Sequence, residues 1–201
     1  RGLGDVYKRQ MQKDMTLPPY YAELGHAIPS GLKEELEIKV KTCVYRAVCA
    51  LGVNHGSVNM DLLITNGGNV HIIDIGARMG GNLIGSHIVP IGTGIDYMGN
   101  MIRAAVSDPT CWKPECQPRT VATKLLALTP GKVKELPDFD LISSKYDVQI
   151  EHHLHVGDVI TPYRTNLDGC GYVVACGYDV DNCIVLATDV RKVIDESIVR
   201  E

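Results

Sequence analysis

Hydrophobic and polar positions fall into runs of distinct period along the 201-residue chain. "PYYAELGHAIP" reads as an extended segment or strand ending at Pro29. In "SGLKEELEIKVKTCVYRAVCALGV" the apolar positions Leu36, Val40, Cys43, Val44, Ala47 and Leu51 form one stripe at helical spacing. Ser30 is the expected N-cap, Glu34 and Glu35 suit the first turns, and Gly52 suits the end. A second helix is expected in "TGIDYMGNMIRAAVSD", with Thr93 as its N-cap. "DPTCWKPECQP" has three prolines in eleven residues and reads as a linker. From Arg119 onward, "TVATKLLALT", "YDVQIEHHLHV" and "GYVVACGYD" read as strands, and "DNCIVLATDVRKVIDESIV" as a helix. The class is α+β, with no internal repeat.

Between the first two helices lies "SVNMDLLITNGGNVHIIDIGARMGGN". Two alternating runs flank Asn66-Gly67-Gly68-Asn69, a strong hairpin signal. A two-residue turn at Gly67-Gly68 places Asp61 directly opposite Asp74 on one face. Met60, Leu62, Ile64, Ile73 and Ile75 then point to the other face and build the core. The period of two adds Gly76 and Arg78 to the carboxylate face.

Charge and composition narrow the classes. The formal net charge is −4. The first ten residues, "RGLGDVYKRQ", have no apolar period, and their back-translation reads as the tail of a transposase-type sequencing adapter. They are expected to be a non-native artefact that replaces part of a longer N-terminus. Without them 17 Lys and Arg stand against 23 Asp and Glu, a net of −6. Such a chain lacks the basic footprint of a nucleic-acid binder. It has no long apolar run to span a membrane. Seven cysteines without C-x-x-C spacing suit reduced thiols in a cytoplasm.

Two facing carboxylates need a reason, because like charges directly opposite each other are destabilising. Both can be solvated, they can share a proton, or they can hold a hard divalent cation. Arg78 adds a fork suited to phosphate oxygens, and Gly80-Gly81 lets backbone N–H groups approach an anion.

The stretch from Val58 to Asn82 resembles the C-terminal core of ATP-grasp enzymes. The resemblance extends to the carboxylate–amine ligase branch, through Gly25-His26-Ala27-Ile28-Pro29 and Thr93-Gly94-Ile95-Asp96. It implies that Asp61 and Asp74 hold Mg²⁺ (or Mn²⁺) against ATP, that Arg78 is catalytic, that Gly80, Gly81 and Asn82 contact the nucleotide or acyl phosphate, and that His26 faces the substrate. It further implies small-molecule carboxylate and amine substrates joined through an acyl phosphate. The expected organisation is the C-terminal part of an ATP-grasp domain over 11–108, a linker over 109–118 and a small α+β domain over 119–201. Alone, the chain is not expected to turn over. Gly76 departs from the Glu-x-Asn pattern common in the superfamily, in which the asparagine also meets the metal. Alternatives are a purine-biosynthesis or biotin-carboxylase-type ATP-grasp enzyme, and a non-catalytic binding module. A homodimer is left open, as is a structural role for each of Gly80, Gly81, Asn82 and His26.

Other motifs weigh less. "EHHLHVGD" would put His153 and His155 on one strand face, but lacks a second ligand group at matching spacing. "GTGIDYMG" lacks G-x-G-x-x-G spacing. Cys170 and Cys176 read as core residues and not as nucleophiles.

Overall fold

The structure is a computed structural model that describes residues 11–201. The expected adapter junction, Arg1–Gln10, lies outside the described residues. In chain order the elements are β1 (Gln12–Met15), β2 (Glu23–Ile28), α1 (Glu34–Ala50), β3 (Asn59–Ile64), β4 (Val70–Gly76), α2 (Val89–Thr93) and α3 (Tyr97–Ala105). They continue with β5 (Thr120–Leu125), β6 (Gly131–Glu135), α4 (Phe139–Tyr146), β7 (Val148–His152), β8 (Val159–Ile160), β9 (Gly171–Gly177), α5 (Val180–Ser197) and β10 (Val199–Arg200). A π-helix, Ile84–Ile88, precedes α2. The described chain divides into two compact units, 30–118 and 11–29 with 119–201.

The second unit is built on a five-stranded antiparallel sheet of order β1-β2-β5-β9-β7. Ala27, Ala122 and Ala175 fall in one line across its central strands. Three small side chains in a row let α5 lie close on that face. Cys183, Ala187, Val190 and Ile194 of α5 are all buried against it. The helix begins at Asp179, whose carboxylate accepts the Asn182 N–H at 2.8 Å. Below it, β10, β6 and β8 form a second sheet. Asp195 ties this end together by accepting from the Thr129 N–H and hydroxyl, both at 2.9 Å, and from Arg200.

The strands before Pro29 belong to this unit and not to the one that follows them in sequence. His26 pairs with Thr123 and Ala27 with Ala122, so β2 is a strand of the five-stranded sheet. Residues 11–29 therefore group with 119–201, although the sequence reading sets them with 30–108. Backbone pairing across nearly a hundred residues leaves no local trace in the sequence.

The first unit places α1 on the hairpin β3–β4. Most of the expected stripe of α1 is its inner side: Val40 is fully buried, and Leu36, Cys43, Val44 and Ala47 are half-buried, but Leu51, past the end of the helix, is exposed. The expected caps differ. Lys33, without a side-chain cap, precedes α1, while Ser30 accepts only the Leu32 N–H, at 3.4 Å. Thr93 ends α2 and does not begin α3; its hydroxyl donates to Val89 O at 2.6 Å. Asp96 caps α3 by accepting the Gly99 N–H at 2.8 Å.

The Pro-rich segment 109–118 is strapped down. The buried Asn100 amide donates to Cys111 O at 2.6 Å and accepts the Cys111 N–H at 2.7 Å. Gly94 O accepts the Glu115 N–H at 2.7 Å. No helix of the described residues is long and apolar enough to cross a membrane.

Candidate metal–phosphate site

Asp61 and Asp74 are directly opposite each other in the β3–β4 ladder. Two departures from the simple register combine to put them there. The turn has three residues: Gly68 N donates to Thr65 O at 2.9 Å, and Thr65 N to Asn69 O at 3.0 Å. Gly68 is at φ +73°, the left-handed position of a three-residue hairpin. This pairs Ile64 with Val70 and Leu62 with Ile72. A bulge between Asp61 and Leu62 then restores the register, pairing Asp61 with Asp74 and Met60 with Ile75. The extra residue is Ile73, which is 64% exposed and not on the core face as the two-residue turn implied. Ile72, opposite Leu62, takes its place.

Arg78 reaches the carboxylate face by another route than strand alternation. The strand ends at Gly76, and Arg78 N donates to Gly76 O at 2.8 Å, closing a tight turn. A Cβ on Gly76 would meet Arg78 Cγ and Nε at 3.4 Å. The arginine stem therefore lies over the position that a side chain at 76 would fill, beside Asp74. Its Nη1 donates to Met79 O at 2.8 Å, and the side chain is exposed.

The glycines that follow differ in kind. A Cβ on Gly80 would meet Asn59 Oδ1 and Ile84 Cδ1 at 2.9 Å, so a larger residue there would have to displace those side-chain ends. Gly81 has open space on its Cβ side and no left-handed backbone. Asn82 and Leu83 are both left-handed, at φ +50° and +62°, a conformation uncommon for leucine. They lead directly into the π-helix, an element frequent at functional sites.

Asn59 escaped the sequence reading. It lies two residues before Asp61, on the same strand face, and opposite Gly76. Extending the period of two backwards from Asp61 would have found it. The donor set on this face is thus two carboxylates and an amide, hard oxygen ligands that suit Mg²⁺ or Mn²⁺, with a guanidinium fork alongside. Among the described residues no three His, Cys, Asp or Glu side chains come together as a metal group. A surface depression of about 380 Å³ lined by Met79, Met101 and Ala104 contains none of the candidate side chains.

His26 lies in the second unit and is 3% exposed. Its backbone N–H donates to Thr123 Oγ1 at 3.2 Å, and its Nε2 is 4.0 Å from Glu23 Oε2. Glu23 is gripped by the loop 161–168. Asn166 Oδ1 accepts its N–H at 3.0 Å, Asn166 Nδ2 donates to its carboxylate at 3.1 Å, and Tyr163 donates to its carbonyl. Burial, then the Glu23 carboxylate, pushes the Tyr163 hydroxyl up to about 12. Asp168 organises the loop by accepting the Arg164 N–H at 3.0 Å and the Thr165 N–H at 2.8 Å. The Arg164 N–H, then that of Thr165, holds the Asp168 carboxyl below its ordinary value of 3.8. A depressed folded value means the loop's stabilisation is present above the unfolded value and is lost as pH falls through the folded one. An NMR titration of Asp168 should give a midpoint below 3.8. Asp168→Asn should remove that acid-side loosening of the loop.

The remaining candidates separate. The strand of "EHHLHVGD" stops at His152, which stacks on Phe139 at 3.7 Å between ring centroids. His153 and His155 lie beyond it. Burial pushes the Cys170, Cys176 and Cys183 thiols up, against a role as nucleophile.

The fold matches the ATP-grasp fold over about half the length of the structures that share it. The L-amino acid ligase of Bacillus licheniformis superposes with a TM-score of 0.81 at 22% identity, over 95% of this chain and 49% of that one. Phosphoribosylglycinamide synthetase of Anaerococcus prevotii does so with a TM-score of 0.78 at 21% identity, over 100% of this chain and 50% of that one. In sequence, the chain is 23% identical over 200 residues to dapdiamide A synthase of Enterobacter agglomerans, covering 95% of this chain and 45% of the synthase. No protein-family model matches the chain. The chain spans about half the length of the relatives it matches.

Proposed function

We propose that this chain carries the cation- and phosphate-handling half of an ATP-dependent ligase that joins a carboxylate to an amine through an acyl phosphate. The observation that carries the reading is the direct pairing of Asp61 with Asp74, with Arg78 folded over the same face, in an ATP-grasp fold. Asp61 and Asp74 would hold Mg²⁺ or Mn²⁺, which when bound neutralises triphosphate charge. Arg78 offers a planar fork of N–H donors to the transferring phosphoryl group or the acyl phosphate. Gly81 leaves its backbone open for close approach, and Asn82 follows it in a fixed left-handed turn. His26, whose ring lies 4.0 Å from Glu23, is proposed to face the small-molecule substrate.

The likeness to the L-amino acid ligase and to dapdiamide A synthase supports the ligase reading. The purine-biosynthesis alternative has support from phosphoribosylglycinamide synthetase, but not more of it. Seven cysteines free of disulfides among the described residues suit a cytoplasmic enzyme. The test is release of ADP by the intact protein that carries this chain, screened across carboxylates and amines. Release requiring both substrates is the expected result. Release driven by bicarbonate alone would overturn the reading in favour of a carboxylase-type enzyme.

A further inference from the structure

We propose that Asn59 is a ligand of the cation site, so that the protein's oxygens come from Asn59, Asp61 and Asp74 across two neighbouring strands. The proposal rests on the reading that the paired aspartates hold a divalent cation, and it goes on to name a third ligand, on the other strand from Gly76.

Four observations carry it. Asn59 shares the face of Asp61 by strand alternation and stands directly opposite Gly76. Gly76 brings no side chain of its own to face the Asn59 amide. The Arg78 stem lies over that position, 3.4 Å from where a Gly76 Cβ would be. Finally, Gly80 backs the amide: Asn59 Oδ1 lies 2.9 Å from where a Gly80 Cβ would be, so any residue but glycine at 80 would displace it. The amide thus lies against Gly80, on the strand face that also carries the two carboxylates. An amide oxygen is an ordinary ligand for Mg²⁺- and Ca²⁺-type cations, and exchanging it for a carboxylate raises affinity through the added charge.

The test uses Mn²⁺ as the probe, with its binding to the 201-residue chain read from paramagnetic broadening of backbone amide signals. Native protein should lose signals first around Asp61 and Asp74. Asn59→Leu should weaken Mn²⁺ by about tenfold, and Asn59→Asp should tighten it by several-fold, both with native amide spectra in the absence of the ion. Asn59→Asp has almost the same shape and guards against a loss caused only by disturbed packing on Gly80. If both variants bind within twofold of native protein while Asp74→Asn has lost the ion, Asn59 is not a ligand and the proposal is overturned. If Asp74→Asn itself binds Mn²⁺ like native protein, the failure belongs to the paired-aspartate reading instead.

Discussion

Asp74→Asn is expected to abolish the rise in melting temperature that Mn²⁺ gives the native chain, while leaving the cation-free protein at least as stable. Two effects of opposite sign act at this position. Directly opposed carboxylates repel, at a cost of roughly 0.2–1 kcal/mol for a cross-strand pair, and the amide removes that cost. The same change removes a charged oxygen ligand. A cation that binds only the folded state stabilises it by about 2.7 kcal/mol at a hundredfold excess over its dissociation constant. Without the ion, the variant should therefore melt at or slightly above the native temperature; with the ion, it should melt clearly below it. Calorimetric melts of both proteins with and without Mn²⁺ read this crossing. A pair that is merely solvated on an exposed hairpin gives no ion-dependent shift in either protein.

Gly94→Ala is expected to cost about 3 kcal/mol or more and to loosen the first unit, whereas Gly81→Ala should stay within about 0.5 kcal/mol of native stability. Gly94 is at φ +73°, at the C-terminal end of α2. A Cβ there would lie 2.0 Å from Cys116 O, a backbone atom that can retreat only if the Pro-rich strap detaches. Detachment would also break the bond from the Glu115 N–H to Gly94 O. At Gly81 nothing lies within 4 Å and the backbone is not left-handed. Two glycines in motifs of similar appearance thus have opposite demands. Urea unfolding of the two variants separates them. A Gly94→Ala protein as stable as native would show that the strap is not held as the structure has it.

The same contrast shows what was legible in the sequence. The hairpin, its turn residues and the facing aspartates followed from alternation, yet the register argument reached Asp74 with a turn one residue too short. The bulge at Ile73 supplied the missing residue, and no propensity marks a bulge at an isoleucine between Ile72 and Asp74. The stripe of α1 and the length of α5 were readable because each helix buries one side at regular spacing. The caps were not, because Ser30 and Thr93 are good capping types placed three or more residues before the helices they were assigned to. The membership of β2 in the five-stranded sheet depends on its pairing with β5, and only the folded chain brings those strands together. Within the site, Asp61, Asp74 and Arg78 carried chemical types that invited attention. Asn59 did not, and its significance comes from the empty position opposite it and from the glycine behind it.

The central claim is that Asp61 and Asp74 share a divalent cation. Anomalous diffraction from crystals of the chain grown with Mn²⁺ and ATP tests it most directly. The account predicts an anomalous peak between the two carboxylates, within coordination distance of both, that disappears in Asp74→Asn crystals. Crystals with no manganese at that pair, or with an ordered ion bound only elsewhere, would contradict it.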